Sequence, residues 1–160
     1  MCRLGEIGQQ ALKEMRLLVY ELRPLSLRRE GLAKALQQRL EAVERRAGVE
    51  ASLTVDDTLD LSASVEEELY RVVQEALNNS LKHAGASAVE VQVRTIGGII
   101  QIDVSDNGRG FNPETLVDAG GLGLRSIRER VGMLGGTVAI LSAPGQGTTV
   151  RSGWRALPRR

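Results

Sequence analysis

A chain of 160 residues, 42% hydrophobic and 26% charged, is long enough to bury one core with at most a short appended element. Its net charge of +1 and 2% aromatic content leave neither the basic footprint nor the stacking platforms that nucleic-acid binding requires. A single cysteine, Cys2, excludes an internal disulfide and a cysteine metal cluster, and a single histidine, His83, excludes a multi-histidine metal site.

Residues 4–22 set Leu4, Ile7, Ala11, Met15, Leu18 and Leu22 at steps of three and four, one stripe of a helix. Pro24 stops it, because its ring clashes with the preceding turn and it has no N–H. The near-heptad spacing suits a helical hairpin or dimer seam, although a helix lying on its own domain would show the same stripe. A second helix is predicted over 31–47, with Leu32, Leu36, Leu40, Val43 and Ala47 on one face and Gly48 beyond its end. "EASLTV" (50–55) reads as a strand, and Ser64 with Glu67 forms a capping box that opens a helix running to Ala84. Val89, Val91 and Val93 alternate with polar residues, as do Ile100, Ile102 and Val104, and Gly97-Gly98 between them marks a hairpin. A helix from Leu122 to Leu134 ends at Gly135-Gly136. Two further strands, "TVAILSA" and "TTVRSGWRAL", flank a turn at "PGQG", with Gly153 interrupting the second as a bulge. The predicted class is α+β, a two-layer sandwich with helices on one face of a mixed, largely antiparallel sheet, preceded by a helical stub. No apolar run of about 18 residues and no signal-peptide core is present, so the chain is expected to be cytoplasmic, or the cytoplasmic part of a larger protein that could be anchored in the inner membrane, without direct membrane contact by this chain.

Three stretches could carry chemistry. On the helix over 64–84, at about 100° per residue, Leu69, Val72, Val73, Ala76, Leu77 and Ser80 share one face. Glu75, Asn79 and Lys82 fall together on the other, with His83 at their margin. An amide oxygen is a hard ligand suited to Mg²⁺, a carboxylate can orient a metal-bound water or accept a proton, and an ammonium can neutralise a phosphate. A solvated helix face would carry the same three residues. In "VSDNGRGF", Asp106 ends an alternating strand, where its carboxylate could accept a hydrogen bond from an exocyclic amine such as that of adenine. Gly108 and Gly110 would let the backbone approach a planar base, yet Asp-Asn-Gly is also a common turn. In "AGGLGLRSIRERV", Gly120, Gly121 and Gly123 precede a helix whose free N–H groups suit a phosphate. Neither a P-loop nor a complete dinucleotide fingerprint is present. Residues 111–120 read as a short mobile lid, and "GQGT" (145–148) by itself is a hairpin turn.

The order of these elements resembles the GHKL ATPase superfamily: Glu-x-x-x-Asn on a helix, Asp-x-Gly-x-Gly after a strand, Gly-x-Gly-Leu opening a helix, Gly-x-Gly-Thr between strands. "RVVQEALNNSLKHA", "GLGLRSIRERVGMLGG" and "YELRPLSLRREGLAKAL" are similar to bacterial sensor histidine kinases of the NarL/DesK type, over roughly residues 12–158. The resemblance implies a Bergerat-type ATP-binding fold over 25–160, with residues 1–24 a remnant of the dimerisation helix and linker. It implies ATP and Mg²⁺ as cofactors, with Asn79 binding the metal, Glu75 the polar or basic partner beside it, and Lys82 and His83 on the phosphates. Asp106 would receive the adenine amine above Gly108 and Gly110. Gly121, Leu122, Gly123 and Leu124 would frame lid and phosphates, while Gly147 and Thr148 would line the adenine end. The implied partners are the protein's own phosphoacceptor domain in a homodimer and a response regulator, with no nucleic acid. The family's acceptor histidine on the upstream helix is not in this sequence, so the isolated chain is expected to bind ATP without phosphorylating itself. An anti-sigma-type serine kinase and a non-catalytic interaction module are the alternatives on the same fold.

Overall fold

The computed structural model describes residues 25–56, 61–82, 84–114 and 121–155; the stripe at 4–22, His83 and most of the lid lie outside these. Two helices open the described chain, α1 (Leu25–Glu30) and α2 (Leu32–Ala47), hinged at Gly31. The amphipathic stripe of α2 buries Leu32, Ala35, Leu36, Leu40 and Val43, while Ala47 is exposed. Gly48 closes the helix in the left-handed region, donating its N–H to the Glu44 carbonyl at 3.0 Å.

Strand β1 (Glu50–Val55) leads to the long helix α3 (Ala63–Lys82). Its cap is Ser62 rather than Ser64: the Ser62 Oγ accepts the Val65 N–H at 3.4 Å, and Glu66 N donates to the Ser62 carbonyl at 3.0 Å. Glu67 does not reach back to close a box, since its carboxylate takes Arg71 at 2.9 Å one turn onward. Ser62→Ala should therefore lower stability by about 0.5–1 kcal/mol, and Ser64→Ala should change it much less. Urea denaturation of the two variants checks the assignment; equal losses would return the cap to Ser64.

The hairpin β2 (Ala88–Ile96) and β3 (Ile99–Asp106) is followed by α4 (Gly121–Met133), β4 (Thr137–Ser142) and β5 (Thr148–Arg155). Helix α4 stops where expected: Gly135 N donates to the Gly132 carbonyl and Gly136 N to the Val131 carbonyl, a paired terminator built on a left-handed Gly135. The sheet order is β1-β2-β3-β5-β4, with β1 parallel to β2 and every other pair antiparallel. The mixed, largely antiparallel sandwich is thus as predicted. Gly153 is not a bulge, because β3 and β5 pair without interruption from Ile99↔Arg155 to Asp106↔Thr148.

Alternation decides which side is buried. Val91, Val93, Ile100, Ile102, Val104, Val150 and Trp154 form the inner face, and Leu69, Val72, Val73, Leu77, Ile127 and Val131 of α3 and α4 cover it. Glu68 and Arg130 tie those two helices at 3.2 Å. On the outer face Asp103 is nevertheless buried, gripped by Arg151 at 2.9 and 3.0 Å and by Arg94 at 3.3 Å. The hydrogen bond to Asp103, then its charge, raises the Arg151 pKa above its ordinary value. Among the described residues no helix is long and apolar enough to cross a membrane.

Candidate functional site

One end of the inner sheet face is polar. Asp106 of β3 lies opposite Thr148 of β5, and Thr148 lies opposite Ser142 of β4. The Asp106 carboxylate is held at both oxygens. Ser80 of α3 donates its hydroxyl to Oδ2 at 2.8 Å, and Gly108 N donates to Oδ1 at 2.9 Å. A carboxylate fixed by two donors is preorganised to accept one more hydrogen bond. The sequence reading assigned Ser80 to the apolar face of α3; it is buried there as expected, but its hydroxyl serves Asp106. The signal available was a lone hydroxyl in an otherwise aliphatic stripe.

The glycines of this end are required by the protein itself. A side chain on Gly147 would collide with the Asp106 carbonyl oxygen, one on Gly110 with the Ala143 carbonyl, and one on Gly108 with Ala84. Asn107 adds a clasp that the sequence reading did not single out. Its Oδ1 accepts from Ser87 N and Ala88 N at 2.9 Å each, and its Nδ2 donates to Ser87 Oγ at 2.8 Å. The loop after α3 and the loop after β3 are thereby held together.

The second part of the site lies where α3 meets α4. Glu75 and Asn79 are half-buried on α3, one turn apart. A methyl on Gly123 would come within 2.7 Å of both Asn79 Oδ1 and Glu75 Oε1, so the first turn of α4 sits directly against these two side chains. The Asn79 amide nitrogen is buried without a hydrogen-bond partner. Gly121, Leu122 and Gly123 form that first turn, whose N–H groups have no intrahelical acceptor. Leu124, the next residue, is half-buried against the core. Lys82 ends α3, exposed, and among the described residues it makes no ion pair. The structure thus gathers Glu75, Asn79 and Gly123 in one place and Asp106, Gly108, Gly147 and Thr148 in another, with α3 reaching both. A hollow of about 500 Å³ near the start of β1 and β2 is a separate feature; Asp106 borders it, but Glu75, Asn79 and Gly123 do not.

Residues 64–157 match the protein-family profile described as histidine kinase-, DNA gyrase B-, and HSP90-like ATPase. The sensor histidine kinase LiaS of Bacillus subtilis (strain 168) is 36% identical over 141 residues, covering 88% of this chain and 39% of that protein. The sensor histidine kinase MctS of Rhizobium johnstonii is 38% identical over 143 residues, covering 88% and 31%. The histidine kinase domain of the Erythrobacter litoralis EL346 blue-light activated histidine kinase superposes with a TM-score of 0.66 at 25% identity, covering 78% of this chain and 60% of that one. The chain spans less than half the length of these curated relatives.

Proposed function

Since the chain belongs to the histidine kinase-, DNA gyrase B-, and HSP90-like ATPase family, we propose that it is the ATP-binding catalytic domain of a sensor histidine kinase. One observation carries the reading. A single helix, α3, serves two polar centres at once, fixing Asp106 through Ser80 and presenting Glu75 and Asn79 to the first turn of α4. That arrangement suits a ligand with a base at one end and phosphates at the other.

In this reading Asp106 receives the adenine amine, and Gly108, Gly110, Gly147 and Thr148 shape the base end. Gly121, Leu122, Gly123 and Leu124 frame the phosphates, with Lys82 and His83 contacting them. The Asn79 carboxamide fits the site at both of its atoms: among the described residues its oxygen, a hard ligand, takes no protein hydrogen bond, and its buried nitrogen is a donor left for a phosphate oxygen. Bound Mg²⁺ would neutralise charge on the transferring phosphoryl group. Asn79 would hold the ion by its oxygen, and Glu75 would orient one of the ion's waters or accept a proton. Residues 1–24 are proposed as the end of the dimerisation helix and 25–160 as the catalytic domain. The acceptor histidine would stand on the parent's dimerisation helix, from which a response regulator takes the phosphoryl group, and the intact protein would be a cytoplasmic-facing homodimer.

Calorimetry tests the assignment. The chain should bind Mg-ADP, and Asn79→Ala should weaken that binding roughly tenfold or more, the scale of one charge-assisted contact. Binding of metal-free ADP should change much less. Equal losses with and without Mg²⁺ would make Asn79 structural, and no binding at all would remove the reading. A second expected result concerns His83, which directly follows the last residue of α3. In-line attack requires the acceptor nitrogen opposite the leaving oxygen, and in this reading the acceptor is a histidine on the parent's dimerisation helix, leaving His83 a phosphate contact. Incubation with γ-labelled ATP should leave no acid-labile phosphate on this chain. Stoichiometric label on His83, abolished by His83→Gln, is the contrary outcome.

A further inference from the structure

Ser142 sits at the end of β4, in a strand whose other residues are Thr137, Val138, Ala139, Ile140 and Leu141, and its hydroxyl makes three hydrogen bonds. Phe111 N lies 2.9 Å from its Oγ, the Gly147 carbonyl oxygen 3.0 Å, and Thr148 Oγ1 2.9 Å. The directions of these bonds follow from chemistry. A backbone N–H only donates, so Ser142 accepts from Phe111. A carbonyl only accepts, so the one proton of Ser142 goes to Gly147. The bond that remains can form only if Thr148 donates to Ser142.

The proton of Thr148 is therefore committed away from the site, and its hydroxyl oxygen can offer only lone pairs to a ligand. Thr148 stands directly across from Asp106 on the same sheet face, where side chains of opposed residues are neighbours. The carboxylate is an acceptor as well. We infer that Ser142 is a specificity-determining positioning residue: by fixing the Thr148 proton it turns the Asp106–Thr148 pair into a wholly accepting edge. Such an edge selects a purine whose 6-position donates, an amine, over one whose 6-position accepts, a carbonyl. Without the Ser142 hydroxyl, Thr148 could rotate its proton toward the site and satisfy a 6-oxo group. This inference rests on the nucleotide reading of the site, and it adds to that reading the residue that sets its polarity.

The test is the ratio of ADP to IDP affinity, measured by calorimetry with Mg²⁺ on the full chain; the two ligands differ at the purine 6-position and N1. The unmodified chain should prefer ADP. In Ser142→Ala the preference should fall roughly three- to tenfold, the size of one redirected hydrogen bond, while Ser142→Thr, which keeps the hydroxyl, should retain it. Thr148→Val should also lower the ratio, and it serves as the test if Ser142→Ala does not fold by circular dichroism. Parallel loss of ADP and IDP affinity, with the ratio unchanged in Ser142→Ala or in a folded Thr148→Val, would make Ser142 a structural residue and overturn the inference, leaving the nucleotide site in place. Binding of neither nucleotide by the unmodified chain would instead overturn the site reading, and the inference with it.

Discussion

Asp106→Asn should cost at least roughly tenfold in ADP affinity while leaving the protein folded. The two halves of that expectation come from different bonds. In the free protein one carboxylate oxygen takes the Gly108 N–H at 2.9 Å and the other takes the Ser80 hydroxyl at 2.8 Å. Asparagine can keep its oxygen toward Gly108 and turn its NH₂ toward Ser80. Ser80 can then accept, because its own proton already has a second acceptor in the Ala76 carbonyl at 3.2 Å. The fold is thereby satisfied. The edge facing the ligand is not, since an N–H now opposes the adenine amine where an oxygen accepted it. Loss of a hydrogen bond to a charged group corresponds to about 1.5–3 kcal/mol. Calorimetry with ADP, together with a thermal melt of the nucleotide-free variant, separates the two effects. Unchanged affinity in a folded variant would place the adenine amine elsewhere.

The elements that could be read from the sequence were those fixed by local periodicity. The stripe of α2, its stop at Gly48, and the alternation of Val89, Val91 and Val93 against Ile100, Ile102 and Val104 each express one repeat within one segment. The insertion of β5 between β3 and β4, and the parallel β1–β2 pair, are pairings between distant segments that no local pattern encodes. The cap of α3 was misplaced by two residues because Ser62 and Ser64 are the same residue type, and only the backbone path decides which one caps. The α3 face bearing Glu75 and Asn79 and the strand end at Asp106 were legible, because helical phase and strand alternation locate them. Ser80 was not, because its partner Asp106, 26 positions away, is brought close only by tertiary packing. Ser142 was not, because its bonds to Gly147 and Thr148, five and six positions away, depend on the path of the turn between β4 and β5, and the residue pattern does not give that path. The glycines of the base end were read as room for a ligand. The structure gives a prior reason for them, in that Gly108, Gly110 and Gly147 let three loop backbones touch.

That reason gives Gly147→Ala a large expected effect on stability, and Gly145→Ala is its control. Both glycines hold positive φ, +71° at Gly147 and +76° at Gly145, so alanine at either is strained by about 1–2 kcal/mol. They differ in what the added methyl meets. At Gly145 there is open space within 4 Å, and the residue is exposed. At Gly147, which is buried, the methyl would meet the Asp106 carbonyl oxygen and come within 3.2 Å of the Asn107 Cα. Those are backbone atoms, so no side-chain rotation can relieve the contact; the end of β5 must move away from the end of β3. Overpacking adds about 1–3 kcal/mol to the conformational strain, for a total loss of roughly 2–5 kcal/mol. The displaced strand end carries Thr148, which pairs with Asp106, so the variant should lose ADP binding even under conditions where it remains folded. Urea denaturation of both variants, followed by calorimetry on the folded fraction, measures the two consequences. If Gly147→Ala proved no less stable than Gly145→Ala, the close approach of the two loop backbones would not be what requires glycine there.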